Sequence, residues 1–440
     1  MKNIKNNFQQ VDSYLEKNEE KSIELLRKLV SFDSSIEDAG TGGRECEIQK
    51  FIAEKLNFLN AAIVDVFEPD NDKIKDLPGY NPNHKYDNRP NVVAVFRGKR
   101  INKNIVGNSI LLNGHADTVE PGNLAEWSRD PFKGEICNNF MYGRGTTDMK
   151  GGLAAAILAV EAIKASGIEL ASDVILESVI DEEGGGNGTL ACVERGYSAD
   201  AALIMEPTGL EVSSANRGAF LAELTVHGLP AHAALKGCGI NAIEKTIKLI
   251  NALAELEKCW LLTKRHPLLS NPTINIGQIL GGTGASTVAG ECTLRFDVEF
   301  FPRDYREDGT EYIVNKNDIK KEVDDCIAFA CAGDPWLAKK PAFVTWYQDT
   351  PAFQTDSNHP FVEAALLACS KYVKHAKLSG FPAGCDGVHL AHLGKMPVVI
   401  FGPGNVKNAH TINESIDIKQ YLLSIKVIAN LILNWVGINE

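Results

Sequence analysis

The chain has 440 residues, with 45 Lys+Arg against 57 Asp+Glu and a formal net charge of −12. Hydrophobic residues at 44% and charged residues at 23% exclude disorder, collagen and coiled coil, and the length suggests two or three domains. The acidic balance argues against nucleic acid as the main partner, because neutralising phosphates requires surplus Lys and Arg.

The first 20 residues contain no apolar core of a Sec-type signal, and no stretch approaches the ~18 unbroken apolar residues of a membrane span. Ten cysteines without a CxxC pair make neither a disulfide framework nor a thiolate zinc site, so a reducing cytoplasm is the expected address. Cys326 and Cys331 read as helix-core residues. Apolar residues at helical spacing (Ile23, Leu25, Leu26, Leu29, Val30, then Ile48, Phe51, Ile52, Leu56, Leu59) predict helices in the opening segment. The polar, Pro/Asn-rich stretch 70–90 reads as a loop. Strands are expected over 91–96, 109–112, 174–180 and 201–205, interleaved with helices over 151–165 and 189–195. This alternation predicts an α/β sheet covered on both faces. Near Ala215 the rhythm changes. Strands over 219–227, 273–280 and 291–300, with helices over 241–256 and 318–330, predict a compact α+β unit. The α/β pattern then returns with a helix over 361–371, a strand over 397–401 and a helix over 418–436. The expected organisation is one α/β domain, residues 1–214 and 334–440, interrupted by an inserted unit over 215–333.

The chemistry-bearing residues collect at strand ends. His115 and Asp117 close an apolar strand two residues apart, so in extended chain they share a face, at the sheet edge where open α/β folds place ligands. Asp148 sits in a glycine-rich turn before a helix, where an anionic group is favoured; the turn lacks the GK[ST] ending of a phosphate loop. The strand over 174–180 runs into Asp181-Glu182-Glu183, acids that repel one another unless a cation or proton is present. Glu206 ends the next strand, and His410 follows the strand over 397–401. Singly, these features have plainer readings: a structural His–Asp hydrogen bond, a helix N-cap, a solvated acidic turn. Together they form a nitrogen/oxygen ligand set without Cys, suited to Zn, Mn or Co. Asp148, Glu183 and Glu206 contribute −3, which two divalent ions and a hydroxide neutralise, leaving Glu182 free as a base.

The segments GHADT (114–118), YGRGTTDMKGG (142–152), DEEGGGNGT (181–189), EPT (206–208), GLPAHAA (228–234) and FGPG (401–404) with AHTINE (409–414) belong to a resemblance that runs in order from about residue 20 to the end. In these the chain resembles the acetylornithine deacetylase / succinyl-diaminopimelate desuccinylase / aminoacylase / carboxypeptidase G family of dinuclear zinc amidohydrolases. The resemblance implies a zinc-peptidase-like α/β catalytic domain with an inserted α+β lid and dimerisation domain. It implies His115 and Glu206 on one zinc, Glu183 and His410 on the other, and Asp148 bridging both, with Co or Mn as alternatives. It further implies Asp117 bracing the His115 ring, Glu182 as general base and acid, His232 on the inserted domain polarising the carbonyl, and a cis peptide at Asp148–Met149. The implied enzyme is a homodimer in amino-acid biosynthesis. It hydrolyses the amide of an N-acyl amino acid or similar small N-acyl compound, as acetylornithine deacetylase does, through a metal-bridging water. A metallo-dipeptidase or carboxypeptidase with the same site is the alternative; an inactive metal-binding homologue is disfavoured by the intact Glu182 and complete ligand set.

The sequence departs from the family pattern where a substrate carboxylate is usually held. Ser286 and Ala289 stand in place of an Asn and a Pro, and Glu299 in place of an Arg. Arg217 and Arg295 are candidate substitutes. Among other histidines, His389 and His392 read as packed helix residues, His266 and His359 as loop residues, and His227 as exposed.

Overall fold

The apolar runs of the first part of the chain become strands with no exposed residue: Asn91–Phe96, Ile110–His115, Val174–Val179 and Ala202–Ile204. Strands buried on both faces have no need of a polar alternate position, which is why their sequences read as continuous apolar runs. The computed structural model describes residues 2–37, 41–99, 107–305 and 310–439, which divide into two compact units.

The first unit comprises Met1–Ser214, Thr355–Phe381 and Cys385–Glu440. Its eight-stranded sheet has the order Leu378–Phe381, Val212–Asn216, Val398–Ile400, Ala202–Ile204, Ile110–His115, Val174–Val179, Asn91–Phe96, Ile63–Phe67. The four strands from Val398–Ile400 to Val174–Val179 run parallel, so their C-terminal ends open on one edge. Antiparallel strands flank them on both sides. The helix Gly151–Ala165 is buried around almost its whole circumference, packing in one core with the helix Ile418–Val436 and the sheet. Gly152 is required there, because a Cβ would run into the Met205 carbonyl. A short sheet pairs Ser415–Asp417 with Phe140–Tyr142, which brings the segment after His410 beside the turn that holds Asp148.

The second unit is Ala215–Gln354 with Pro382–Gly384. Its antiparallel sheet has the order Thr273–Gly281, Glu291–Phe300, Gly218–His227, Val344–Thr350. Alternate residues Phe220, Ala222, Leu224 and Val226 pack on the helices Ala242–Thr263 and Lys316–Ala332. The expected boundary at residue 333 moves to Gln354. The strand Val344–Thr350 pairs with residues 219–224, and Trp346 packs edge-on against Phe220 and Phe296, so residues 334–354 belong to the inserted unit. Among the described residues no helix is long and apolar enough to cross a membrane.

Candidate metal centre

Three of the parallel strands deliver the site. His115 is the last residue of Ile110–His115, Glu182 and Glu183 follow Val174–Val179, and Glu206 follows Ala202–Ile204. Asp148 sits in the turn before Gly151–Ala165 with non-helical φ/ψ of −120° and 97°, and the Asp148–Met149 peptide is cis, as the family resemblance implies.

The two oxygens of Asp148 face different imidazoles. Oδ1 lies 3.2 Å from His115 Nε2 and Oδ2 lies 3.5 Å from His410 Nε2. His410 Nε2 is also 2.9 Å from Glu183, while His115 Nε2 has Glu206 at 3.7 Å and Glu182 at 3.9 Å. Two overlapping triads, His115/Glu182/Glu206 and His115/Asp148/Glu183, keep their donor atoms within 4.8 Å of one another. His115, Asp148, Glu182, Glu183, Glu206 and His410 are thus brought together. His232 lies on the inserted unit, exposed, with its Nδ1 accepting from the Ala234 N–H at 3.1 Å.

The brace on His115 differs from the expectation. Nδ1 lies 2.9 Å from the backbone carbonyl of Asp117, whereas the Asp117 carboxylate is 3.7 Å away. A carbonyl can only accept, so Nδ1 carries a proton; Nε2 faces the carboxylate cluster, and in the neutral form of the ring its lone pair is available there to a cation. The Asp117 carboxylate instead accepts from the backbone N–H groups of Glu182, at 3.3 Å, and Glu183, at 3.1 Å. Asp117 positions the acidic pair more directly than it does the histidine.

The charges of the cluster are mismatched. Burial, reinforced by neighbouring carboxylates, pushes the Glu182 and Glu206 carboxyls well above their ordinary range and the Asp117 carboxyl to about 8. Hydrogen bonds donated to the Asp148 and Glu183 carboxylates raise His410 to about 10. For His115, burial opposes the charged ring, but Asp148 and the surrounding carboxylates carry its pKa well above normal. A buried set of acids that holds protons and imidazoliums together is the pattern a divalent cation relieves, and the donors are the nitrogen and oxygen types such a cation takes. The residues fit the group.

Two residues supporting the site, Arg144 and Glu414, lie within the segments 142–152 and 409–414 but are given no role by the sequence reading. Glu414 is fully buried and accepts from the backbone N–H groups of Gly145, Thr147 and Asp148 at 2.8–3.1 Å. Arg144 pairs with it at 2.6 Å. The Asp148 turn is therefore held by a carboxylate four residues beyond His410. Of the other histidines, His389 is buried on the helix Gly387–His392 and His392 is exposed on it. His359 caps the helix Pro360–Ser370, and His227 is exposed.

A family model for peptidase family M20/M25/M40 matches residues 111–434. The chain is 31% identical over 444 residues to an N-formyl-4-amino-5-aminomethyl-2-methylpyrimidine deformylase of Bacillus subtilis (strain 168), covering 96% of each chain. It is 29% identical to a probable succinyl-diaminopimelate desuccinylase of Staphylococcus aureus (strain MRSA252), covering 85% of this chain and 95% of that one. A tripeptidase crystal structure from Staphylococcus aureus has the same fold, with TM-score 0.70 at 23% identity, over 94% of this chain and 98% of that one. With its family match, its full-length relatives and its fold in agreement, the chain belongs to peptidase family M20/M25/M40 and is an amidohydrolase of that family.

Proposed function

We infer that the chain hydrolyses the amide of a small N-acyl compound at a dinuclear metal centre. The observation that carries this reading is the placement of Asp148, one oxygen toward His115 and the other toward His410, which suits a carboxylate bridging two cations. His115 and Glu206 would hold one ion, Glu183 and His410 the other. Two divalent ions bound there, zinc first by donor type and Co or Mn as alternatives, supply Lewis acidity toward the acyl carbonyl and lower the pKa of water from 15.7 toward ~7. Glu182 takes the proton from the attacking water and returns it to the departing nitrogen; its carboxylate, 3.9 Å from His115 Nε2 and within the donor cluster, supports that role. His232 would bind the carbonyl oxygen as its charge grows, with the inserted unit as lid and dimerisation domain. The edge strand Thr273–Gly281, with Ile279 and Leu280 exposed, supports pairing with a second copy. Ten unpaired cysteines fit a cytoplasmic address.

An N-acyl amino acid, as in acetylornithine deacetylase, requires a cation for its carboxylate. Both candidates are already committed. Arg217 pairs with Glu299 at 2.9 Å and donates to the Pro382 and Asn271 carbonyls, and Arg295 pairs with Glu223 at 2.6 Å. These pairings favour a substrate without a carboxylate, in line with the N-formyl aminomethylpyrimidine named for the Bacillus subtilis relative. The test is a hydrolysis panel with zinc or cobalt: that formyl pyrimidine, N-acetylornithine, N-succinyl-diaminopimelate and dipeptides. The formyl pyrimidine should lead in kcat/KM by about tenfold or more. A lead for N-acetylornithine would restore the amino-acid reading, and a lead for dipeptides the peptidase one.

A further inference from the structure

The Pro/Asn-rich segment after Asp70 has no role in the chemistry described so far, yet it is tied down along its length. Its short helix Asn71–Ile74 and the following turn build a small core of their own: Ile74, Leu77 and Tyr80 pack with Leu190 and Ala191 of the helix Asn187–Glu194. Beyond this anchor the chain alternates, with His84, Tyr86 and Arg89 buried and Pro82, Lys85 and Asp87 exposed. All three buried side chains converge on Asp181, the fully buried residue immediately before Glu182. His84 Nδ1 lies 2.9 Å from the Asp181 carboxylate, the Tyr86 hydroxyl donates to it at 2.8 Å, and an Arg89 Nη2 lies 3.5 Å away. Burial and the Asp181 charge raise the Tyr86 pKa, so the hydroxyl stays a donor, and it accepts in turn from Asn187 Nδ2 at 2.6 Å.

The same segment grips the far end of the acidic loop. Asn81 donates its side-chain amide to the Gly184 carbonyl, while its backbone N–H and carbonyl pair with the Asn187 side-chain amide at 2.9 and 2.7 Å. Asp181 has a left-handed φ of 67°, and the Gly186 N–H closes on its carbonyl at 2.7 Å. A non-glycine residue holds that conformation where its surroundings over-determine it.

We propose that residues 79–89 form a positioning strap, in which His84, Tyr86 and Asn81 fix the Asp181–Gly186 loop and so set where Glu182 and Glu183 point. Asp117 holds the backbone of this acidic pair from the site side; the strap holds the loop from behind. Neither His84 nor Tyr86 is one of the candidate metal donors; His84 acts through Asp181, and Tyr86 through Asp181 and Asn187. This inference rests on the reading of Glu182 and Glu183 as proton carrier and ligand, but its first readout does not.

The experiment compares Tyr86→Phe, His84→Leu, His84→Gln and the milder Asn81→Ala with Tyr372→Phe, which removes a hydrogen bond to Asp12 elsewhere in the fold. Amide exchange over residues 181–186 is measured first. Metal affinity by chelator competition and kcat and KM follow. In the strap variants, loop exchange accelerates about tenfold or more, and metal affinity and kcat fall about 10- to 100-fold at nearly constant KM. His84→Gln, which keeps a donor, recovers part of the His84→Leu loss. Tyr372→Phe lowers the Tm without moving the loop, the metal affinity or kcat. Unchanged exchange over 181–186 in folded Tyr86→Phe and Asn81→Ala overturns the strap. Faster loop exchange in a protein that binds no metal keeps the strap and overturns the metal reading instead.

Discussion

Glutamine in place of Glu182 lowers kcat by about 10²–10⁴-fold while metal content stays at the wild-type level. Gln keeps the shape of the side chain but carries no exchangeable carboxyl proton, so the water loses its base and the amine its acid. The same change at Glu183 acts differently, because Glu183 lies 2.9 Å from His410 Nε2. Glu183→Gln removes an anionic ligand and weakens one ion of the pair. Glu182 and Glu183 are neighbours in one loop and both belong to the donor cluster, which makes the comparison sharp. Metal analysis beside steady-state kinetics reads both variants. Metal loss in Glu182→Gln with full occupancy in Glu183→Gln would exchange the two roles.

The second large effect is on stability. Arg144→Met leaves the Glu414 carboxylate fully buried without its cation, and breaking a buried pair from one side costs about 3–5 kcal/mol. Glu414 retains its backbone donors, but these also hold the Asp148 turn, so turnover falls together with stability. Denaturant unfolding of the variant, followed by tryptophan fluorescence, measures the loss. A change below about 1 kcal/mol, the size of an exposed pair, would remove the Arg144–Glu414 pair from the account.

The sheet was legible because buried parallel strands have a distinctive composition. The sequence reading places strands over 91–96 and 174–180, against Asn91–Phe96 and Val174–Val179 observed, and the helix Ile418–Val436 at its observed bounds. The strand Val344–Thr350 escaped because its alternation is weak. Trp346 faces Phe220, but Thr345 and Gln348 give it the look of a connection, and only its pairing with Gly218–His227 assigns it to the inserted sheet. Ligand candidates were visible because carboxylates and imidazoles recur at or beyond the C-terminal ends of successive apolar strands, where open α/β sheets place ligands. The supports were not. Glu414, Asp181 and Tyr86 act through contacts across 270, 97 and 95 positions of chain or through backbone N–H groups, and no local spacing encodes such partners. Asp117 was found, but its carboxylate serves the backbone of Glu182 and Glu183 rather than the imidazole, a distinction of under an ångström that alternation along a strand cannot carry.

Under the proposed function, amide hydrolysis depends on metal held by His115, Asp148, Glu183, Glu206 and His410. This dependence is tested most directly by assaying the best substrate of the panel before chelation, after metal removal verified by elemental analysis, and after zinc or cobalt is returned. The expected result is up to two divalent ions per chain, with turnover lost on their removal and restored on their return. Full turnover by protein verified to be free of metal would contradict it.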